Sequence, residues 1–290
     1  MVSTSGSSGT RAIVGLPRMA SEQPQTWHYG LIARYWAEFN DDFRPHEIPY
    51  FRRFVEDGGQ PALDVACGTG RLLVPYLRAG LAVDGCDVSA DMIALCREKA
   101  EREGFSPNLY VQPMHALELT CRYRTIYVCG AFGLGSTREQ DTEALRRFHA
   151  HLEPGGTLLL DAEVPYADPR HWRYWPTQER ASLPELSEPP KRRQQATDGT
   201  EYALRSRIVE VDPLDQRVSY EMRVELWRDG VLEAEETHRL DSRCYFKDEL
   251  VLMVERAGFE EVVVHGDHVE ADPTSDDEFV VVVARKGRGA

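Results

Sequence analysis

The feature that most constrains the fold is an apolar strand that ends in a glycine-rich turn. The sequence from residue 63 to residue 70 is LDVACGTG, and apolar residues at helical spacing follow over Arg71–Arg78. A glycine adopts backbone angles that are closed to other residues, and it lets a ligand approach the main chain closely. The stretch therefore predicts a strand, a tight turn and a helix, the arrangement at which open α/β sheets bind nucleotide-like ligands.

The alternation of strand and helix extends along the first half of the chain. Further strands are predicted at Ala82–Cys86, Leu109–Gln112, Ile126–Gly130 and Thr157–Asp161. Helices are predicted at Trp27–Phe39, Pro49–Glu56, Ala90–Glu103 (capped by Ser89) and Arg138–Leu152. Strands separated by helices of this length predict an α/β fold, a Rossmann-like doubly wound sheet with helices on both faces.

The pattern changes after Pro165. Residues 166–200 are rich in Pro, Trp, Arg and Gln, which predicts a long irregular lid. Apolar and polar residues then alternate, which predicts three antiparallel strands at Tyr202–Val211, Val218–Leu226 and Leu232–Cys244. A helix at Lys247–Gly258 and strands at Glu261–His265 and Phe279–Ala284 restore the first pattern. The antiparallel module is thus inserted into the α/β core, with a hairpin turn at Asp229-Gly230.

These boundaries predict four parts of the chain. Residues 1–25, rich in Ser, Gly and Thr, are expected to be a disordered leader. Residues 26–165 hold the N-terminal helices and most of the α/β core, and residues 166–245 hold the lid and the inserted sheet. Residues 246–290 complete the core.

The composition limits the kinds of molecule that the protein is expected to bind. A net charge of −14 disfavours nucleic acid, which needs a basic face, and fits a neutral or cationic small molecule. The six cysteines form no CxxC pair, and no His, Cys or Asp grouping has metal-ligand spacing, which predicts reduced thiols and no metal. No run approaches the roughly 18 apolar residues of a membrane span. We therefore expect a cytoplasmic protein, a monomer or a homodimer, that binds a small molecule.

The residues around the turn narrow down the cofactor. The dinucleotide fingerprint GxGxxG needs a third glycine, which is absent after Gly70, and the phosphate-binding GxxxxGK[ST] pattern is also missing. Asp64 places a negative charge at the turn, which suits a cationic ligand. Asp87 ends the next strand, 19 positions after Gly68 (87 − 68), where an acidic residue can bind both hydroxyls of a ribose. A cationic nucleoside such as S-adenosylmethionine (SAM) has all these properties.

Four motifs make the chain resemble the class I SAM-dependent methyltransferases over about residues 60–165 and 244–285. They are LDVACGTG at 63–70, VDGCDVSADMIALC at 83–96, LEPGGTLLLD at 152–161 and ERAGF at 255–259. The resemblance implies a seven-stranded sheet and SAM as the cofactor, with S-adenosylhomocysteine (SAH) as its product. The antiparallel insertion and the aromatic N-terminal helix look like the small-molecule branch that includes glycine and amino-sugar N-methyltransferases.

The resemblance also implies a set of cofactor-binding residues. They are Asp64, Ala66, Gly68, Gly70, Asp87, Val88, Met114, His115, Gly130 and Tyr35. The turn would shape the methionine end of the pocket, Asp87 would bind the ribose, and Val88 would pack against adenine. At Met114 the chain departs from the family, which often has an acidic residue for the adenine amino group. Backbone groups and apolar packing would then hold the adenine.

Candidates for contact with the methyl acceptor come from several segments. Methyl transfer requires alignment of the nucleophile and, for an oxygen or a protonated amine, removal of a proton. The candidate bases are His115, after the third strand, and Tyr29, on the N-terminal helix. The candidate acceptor-binding residues are Phe132, Glu163, Tyr166 and Trp172.

The sequence thus predicts an enzyme that moves a methyl group from SAM to a nitrogen or oxygen atom of a small molecule, in specialised metabolism. Nitrogen is slightly preferred because of the insertion and the acidic charge. Two alternatives stay open. One is a SAM-binding module without catalysis, which the departure at Met114 supports. The other is a nicotinamide-dependent oxidoreductase, which the missing third glycine opposes.

Overall fold

The computed structural model of the chain describes residues 26, 28–186 and 192–288. The expected leader and Trp27 lie outside the described residues. The strands are β1 Ala62–Val65, β2 Val83–Asp87, β3 Leu109–Val111, β4 Tyr123–Val128, β5 Leu152–Glu163, β6 Gln194–Gln195, β7 Glu201–Asp212, β8 Arg217–Arg228, β9 Val231–Arg243, β10 Phe259–Gly266 and β11 Phe279–Lys286. The helices are α1 Gly30–Phe39, α2 Glu47–Gly58, α3 Leu73–Arg78, α4 Ala90–Arg102, α5 Arg138–His151, α6 Pro169–Arg173, α7 Thr177–Arg180 and α8 Lys247–Arg256, with a 3₁₀ turn at Met114–Ala116.

The core is a seven-stranded mixed sheet in the order β10-β11-β5-β4-β1-β2-β3. Strand β1 is parallel to both of its neighbours, whereas β11 is antiparallel to β5 and β10. The strand order reverses between β1 and β4, and such a switch point leaves a crevice at the carboxyl ends of the strands. The predicted fold class, a doubly wound sheet of the seven-stranded type with an inserted antiparallel module, is confirmed.

Apolar side chains cover the sheet on both faces. Leu63 and Val65 on β1 belong to the cluster on one face, and Ala62 belongs to the cluster on the other. The valine run of β11 behaves in the same way, with Val280 and Val281 in different clusters. A strand buried on both faces is apolar at nearly every position, which is why this run predicted an interior strand.

The inserted module is a separate antiparallel sheet in the order β6-β7-β8-β9. The chain leaves the core after β5 and returns to it at α8. Asp229 and Gly230 connect β8 to β9 with φ angles of +51° and +78°, as a two-residue hairpin turn requires. The module has a short fourth strand, β6, that the sequence pattern did not indicate. The lid is also more ordered than expected, because it contains α6 and α7.

The end of α5 shows how tertiary contacts move a boundary. The sequence predicted a helix through Leu152 and a strand from Thr157, but the helix ends at His151 and β5 begins at Leu152. Lys286, on β11, donates hydrogen bonds to the backbone carbonyls of His149 and Leu152 at 2.7 and 2.8 Å. A distant side chain thus satisfies carbonyls that a helix end leaves without partners.

None of the helices in the described ranges combines the length and the apolar character that crossing a bilayer requires.

Candidate active site

The turn between β1 and α3 exposes the main chain at the switch point. Ala66, Gly68 and Gly70 have φ angles of +58°, +55° and +85°, a region that glycine enters readily and other residues enter at a cost. A Cβ atom on Gly68 would meet no atom within 4 Å, whereas one on Gly70 would lie 2.9 Å from the Sγ atom of Cys96. Gly70 therefore packs the turn against α4, and Gly68 leaves room for a ligand beside the backbone.

Asp87, at the end of β2, is held by the same turn. Its carboxylate accepts a hydrogen bond from the backbone N–H of Gly68 at 3.0 Å and, on the other oxygen, one from Ser89 at 2.8 Å. Burial raises the pKa of Asp87 to about 6, and these backbone hydrogen bonds oppose the rise. A carboxylate offers about four acceptor positions, so the group keeps acceptor capacity for the hydroxyls of a ligand.

Asp64, on β1, lies deeper, with a relative exposure of 3%. Burial raises the pKa of this carboxyl to about 8, whereas Tyr127 and the charge of Arg71 act in the opposite direction. The group is therefore protonated at neutral pH when no ligand is bound. A cation beside it would favour the ionised form.

Two adjoining cavities open at the switch point, with volumes of about 440 Å³ and about 280 Å³. The residues common to both walls are Ala66, Asp87, Val88, Met114, Ala131 and Leu134. Because Asp87 lies in the shared wall, one elongated ligand with hydroxyl groups near its centre would extend into both cavities.

The first and larger cavity has apolar walls from Val88 and Met114 and a rim from the inserted sheet, where Arg217 and Arg243 line it. His115, in the 3₁₀ turn, also lines this cavity. The cavity thus combines apolar and polar surface, which suits a ring system with polar edges.

The second cavity has a buried ion pair in its wall. The guanidinium of Arg71 donates hydrogen bonds to a carboxylate oxygen of Glu47 at 2.5 Å, to the backbone carbonyl of Phe43 at 2.9 Å and to the Sγ atom of Cys129 at 3.3 Å. Glu47 is 1% exposed. A buried charge pair requires such additional hydrogen bonds, so the position of the guanidinium is well fixed.

The segment that leads into α1 covers the second cavity. The backbone N–H of Gly30 donates to Asp91 at 2.7 Å, and that of Leu31 donates to Glu236 at 2.8 Å. These hydrogen bonds attach the segment to α4 in the core and to β9 in the inserted sheet. The cover therefore bridges the two sheets of the molecule.

Two ring side chains of this cover line the cavity, His28 and Trp36. Among the described residues, the buried Nε1 atom of Trp36 and the buried Oγ1 atom of Thr69 have no hydrogen-bond partner. Both residues line the second cavity, so both atoms are available to polar groups of a ligand. Burial, with a contribution from His238, lowers the pKa of His28 to about 4, and the ring is neutral at pH 7.

Residues 62–156 match a family model described as a methyltransferase domain. The matched stretch contains the glycine turn, Asp87 and Met114, and it includes the switch point at which both cavities open. This part of the α/β core is thus a methyltransferase domain.

Individual relatives agree with this assignment. A curated relative in Geobacillus sp. (strain WCH70) that carries a methyltransferase name is 28% identical over 116 residues, which are 40% of this chain and 47% of the relative. The chain thus spans about half the length of that relative. The structure of the CcbJ methyltransferase from Streptomyces caelestis has a TM-score of 0.66 at 22% identity and covers 91% of this chain and 97% of its own. The sugar N-methyltransferase KedS8 from Streptoalloteichus sp. ATCC 53650 has a TM-score of 0.64 at 17% identity, with 96% and 100% covered. Identities this low show a shared fold.

The methyltransferase domain brings most of the expected cofactor residues together. Those that line the second cavity are Asp64, Ala66, Gly68, Asp87, Val88, Met114 and Gly130. His115 lines the first cavity, at the far side of Asp87 from the ion pair of Arg71. That position suits contact with the nucleobase of a nucleoside. It also separates His115 from the second cavity, where a residue that accepts a proton from the methyl acceptor would be needed.

Gly70 and Tyr35 line neither cavity. Gly70 lies behind the turn, against Cys96. Tyr35 is buried against the inserted sheet, where its hydroxyl accepts a hydrogen bond from the side chain of Gln194 at 3.0 Å. Consecutive residues of a helix point about 100° apart. The helix that directs Trp36 into the cavity therefore turns Tyr35 towards the sheet, so Tyr35 differs from the expectation.

The residues expected to bind the acceptor also lie outside both cavities. Phe132 is 6% exposed and packs in the core, with its ring 5.5 Å from that of Tyr245. Tyr166 and Trp172 are exposed on the lid. Glu163 lies at the exposed end of β5, beside Asp168 and His171. The candidate base Tyr29 is half-exposed, with its ring 4.0 Å from that of His238.

Several cavity residues had no signal strong enough to single them out. They are His28, Trp36, Arg44, Glu47, Arg71 and Cys129. Trp36 belongs to the aromatic pattern of α1, and it would have been predicted at the cavity if the cavity-facing side of that helix had been assigned correctly. Glu47 and Cys129 come from separate elements, and their contact is a product of the tertiary fold.

Proposed function

We propose that this chain is a small-molecule methyltransferase that uses SAM as its methyl donor. The observation that carries the proposal is the position of Asp87, in the wall shared by two cavities, with its carboxylate fixed by Gly68 and Ser89. A nucleoside with its ribose at Asp87 would place the base in one cavity and its remaining substituent in the other.

The residues present fit SAM. The acceptor capacity of Asp87 suits the two ribose hydroxyls, and the open space at Gly68 allows a ligand to lie against the backbone. Val88 and Met114 offer apolar surfaces for adenine, and His115 lies at the edge of that cavity. Arg71 lies where a carboxylate of the ligand would find a fixed cation. SAM, when bound, supplies a methyl group on a positively charged sulfur.

The chain's own groups supply alignment, cover and charge. The segment containing His28 and Trp36 closes the second cavity, which excludes water from a reacting centre. Asp64 lies at the base of this cavity, and a cationic ligand would draw it into its ionised form. His28 is neutral at pH 7 and faces the same space, so it replaces His115 as the candidate to accept a proton from the methyl acceptor.

For the acceptor we propose a nitrogen atom of a small molecule in specialised metabolism. The net charge of −14 favours a cationic substrate, and amines are cationic before methylation. The name of KedS8, a sugar N-methyltransferase, is in keeping with this choice. We also propose a cytoplasmic monomer or homodimer without a nucleic-acid partner, and the four-part division of the chain given above.

Calorimetric titration of SAM and SAH, followed by assays with labelled SAM and a panel of amines, amino sugars and phenols, tests the proposal. We expect micromolar binding of both nucleosides and labelled product from at least one amine. Binding without transfer to any acceptor would favour a SAM-binding module. Heat from NADH and none from SAH would favour the oxidoreductase.

A further inference from the structure

A buried polar pair lies behind the second cavity. Asp161, on β5, is 1% exposed, and its carboxylate oxygen lies 3.0 Å from the Nε2 atom of His268. Neither residue lines the first or the second cavity. Burial of two ionisable groups beside an apolar core is costly unless they are paired, so a specific role for the pair is expected.

The loop that carries His268 is strained. Asp267 and His268 are consecutive non-glycine residues with φ angles of +40° and +58°. The side chain of Asp267 stabilises this backbone conformation, because it accepts hydrogen bonds from the backbone N–H groups of Glu278 and Phe279, both at 2.8 Å. Strained residues that the surrounding structure over-determines cluster at functional sites. Here the strain directs the imidazole ring inwards to Asp161.

Aromatic rings surround His268 and fix its orientation. The ring centroids of Tyr50 and Phe279 both lie 5.6 Å from that of His268, and the centroid of Phe51 lies at 5.7 Å. The side chain is fully buried. Because the imidazole cannot rotate freely in this packing, it holds the carboxylate of Asp161 in one position.

The other carboxylate oxygen of Asp161 reaches the active site. It accepts a hydrogen bond from the backbone N–H of Gly130 at 2.5 Å, and Gly130 and Cys129 both line the second cavity. Strand β4 lies between β5 and β1 and ends at Val128, two residues before Gly130. In a planar trans peptide the N–H and the preceding C=O point in opposite directions. An N–H directed at Asp161 on β5 therefore turns the carbonyl of Cys129 towards β1 and the switch-point crevice.

We propose that Asp161 and His268 are positioning residues for the methionine end of the cofactor. They fix the peptide between Cys129 and Gly130 so that the Cys129 carbonyl accepts a hydrogen bond from the α-ammonium group of SAM. This inference rests on the proposed use of SAM. It adds a specific role for two residues that lie behind the cavity wall and touch no part of the ligand.

The test compares SAH with its deaminated analogue, in which hydrogen replaces the α-amino group. We expect the wild-type protein to bind SAH roughly tenfold or more tightly than the analogue, as a hydrogen bond to a charged group predicts. In His268→Phe, which preserves the ring volume, SAH should weaken by a similar factor while the analogue changes little. Asp161→Leu should behave in the same way.

Two further variants separate positioning from general damage. Asp161→Asn should keep the preference for SAH, because the amide oxygen still accepts the N–H of Gly130 and the amide N–H₂ pairs with the other tautomer of His268. His149→Phe is the matched control, since the ring of His149 packs against Phe259 at 5.1 Å and lines neither cavity. It should leave both affinities unchanged.

The outcomes are distinguishable. If the wild-type protein binds neither ligand, the proposed function fails. If it binds both equally, or if His268→Phe weakens both by the same factor, the positioning role is wrong while the use of SAM stands. Retention of the full wild-type preference in His268→Phe would also overturn it.

Discussion

Replacement of Asp87 by Asn tests the centre of the site. The wild-type carboxylate faces two backbone N–H groups, at 3.0 and 2.8 Å, and would accept two ribose hydroxyls. Asn keeps one acceptor oxygen and presents an N–H₂ group in place of the other. Hydrogen bonds to a charged group contribute about 1.5–3 kcal/mol each, so the loss of one and the weakening of the other amount to about 2–4 kcal/mol. At about 1.4 kcal/mol per factor of ten, SAH should bind roughly 30- to 700-fold more weakly.

The assay is calorimetric titration of SAH at pH 7.5 and pH 5.5. The pKa of Asp87 is raised to about 6, so the carboxylate is ionised at the higher pH and mostly protonated at the lower one. The wild-type affinity should therefore fall towards that of Asp87→Asn at pH 5.5. Because both proteins keep Asp64, the difference between them isolates the contribution of Asp87.

Asp84→Asn is the matched control on the same strand. Asp84 accepts hydrogen bonds from the side chains of Asn108 and Tyr123, both at 3.0 Å, and lies outside both cavities. Its replacement should lower stability and leave the affinity for SAH unchanged. The assignment of Asp87 would be refuted if Asp87→Asn bound SAH within threefold of the wild-type protein at pH 7.5.

Three further changes give separable outcomes. Gly68→Ala should lower the free energy of unfolding by only about 1 kcal/mol, because its positive φ is unfavourable for alanine but its Cβ meets no atom. The same change should weaken SAH binding at least tenfold. Thermal unfolding measures the first effect and calorimetric titration measures the second. Gly70→Ala should lower the free energy of unfolding, measured by urea titration, by about 2–4 kcal/mol, because the new Cβ would lie 2.9 Å from the Sγ atom of Cys96. A loss below about 1 kcal/mol would contradict this packing. Asp64→Asn should become more stable relative to wild type as the pH rises from 5 to 8. The folded protein holds the Asp64 proton up to a pKa of about 8, whereas the unfolded chain has lost it near pH 4. Wild-type stability therefore falls by about 4 kcal/mol between pH 5 and pH 8, and equal pH profiles in urea titration would show that Asp64 is not buried in this way.

The part of the site that the sequence predicts is the part encoded locally. Gly68 and Asp87 belong to adjacent parallel strands and their turns, so strand register brings them together once the alternation of strands and helices is recognised. The residue type also carries direct meaning there, because a carboxylate can accept hydrogen bonds from both hydroxyls of a ribose. The apolar run of β11 was equally informative, since burial on both faces leaves a plain hydrophobic pattern.

The covered end of the site could not be predicted because it depends on contacts between distant segments. Arg71 meets Glu47 across 24 residues of sequence, and Cys129 meets Glu47 across 82. No local sequence pattern predicts a contact between residues so far apart in the chain. Strand β6 shows the same limit at the level of the fold, because two residues have no periodicity and pair only through the neighbouring strand β7.

The stretch that matches the methyltransferase family, residues 62–156, holds the turn and Asp87, whereas His28, Glu47 and Asp161 come from outside it. The residues that fix the Asp87 carboxylate therefore lie in one contiguous stretch, and the residues that cover the second cavity lie in the segments that flank it. A change in the length or residue type of those flanking segments would therefore alter the cover of the second cavity and leave the backbone hydrogen bonds to Asp87 in place.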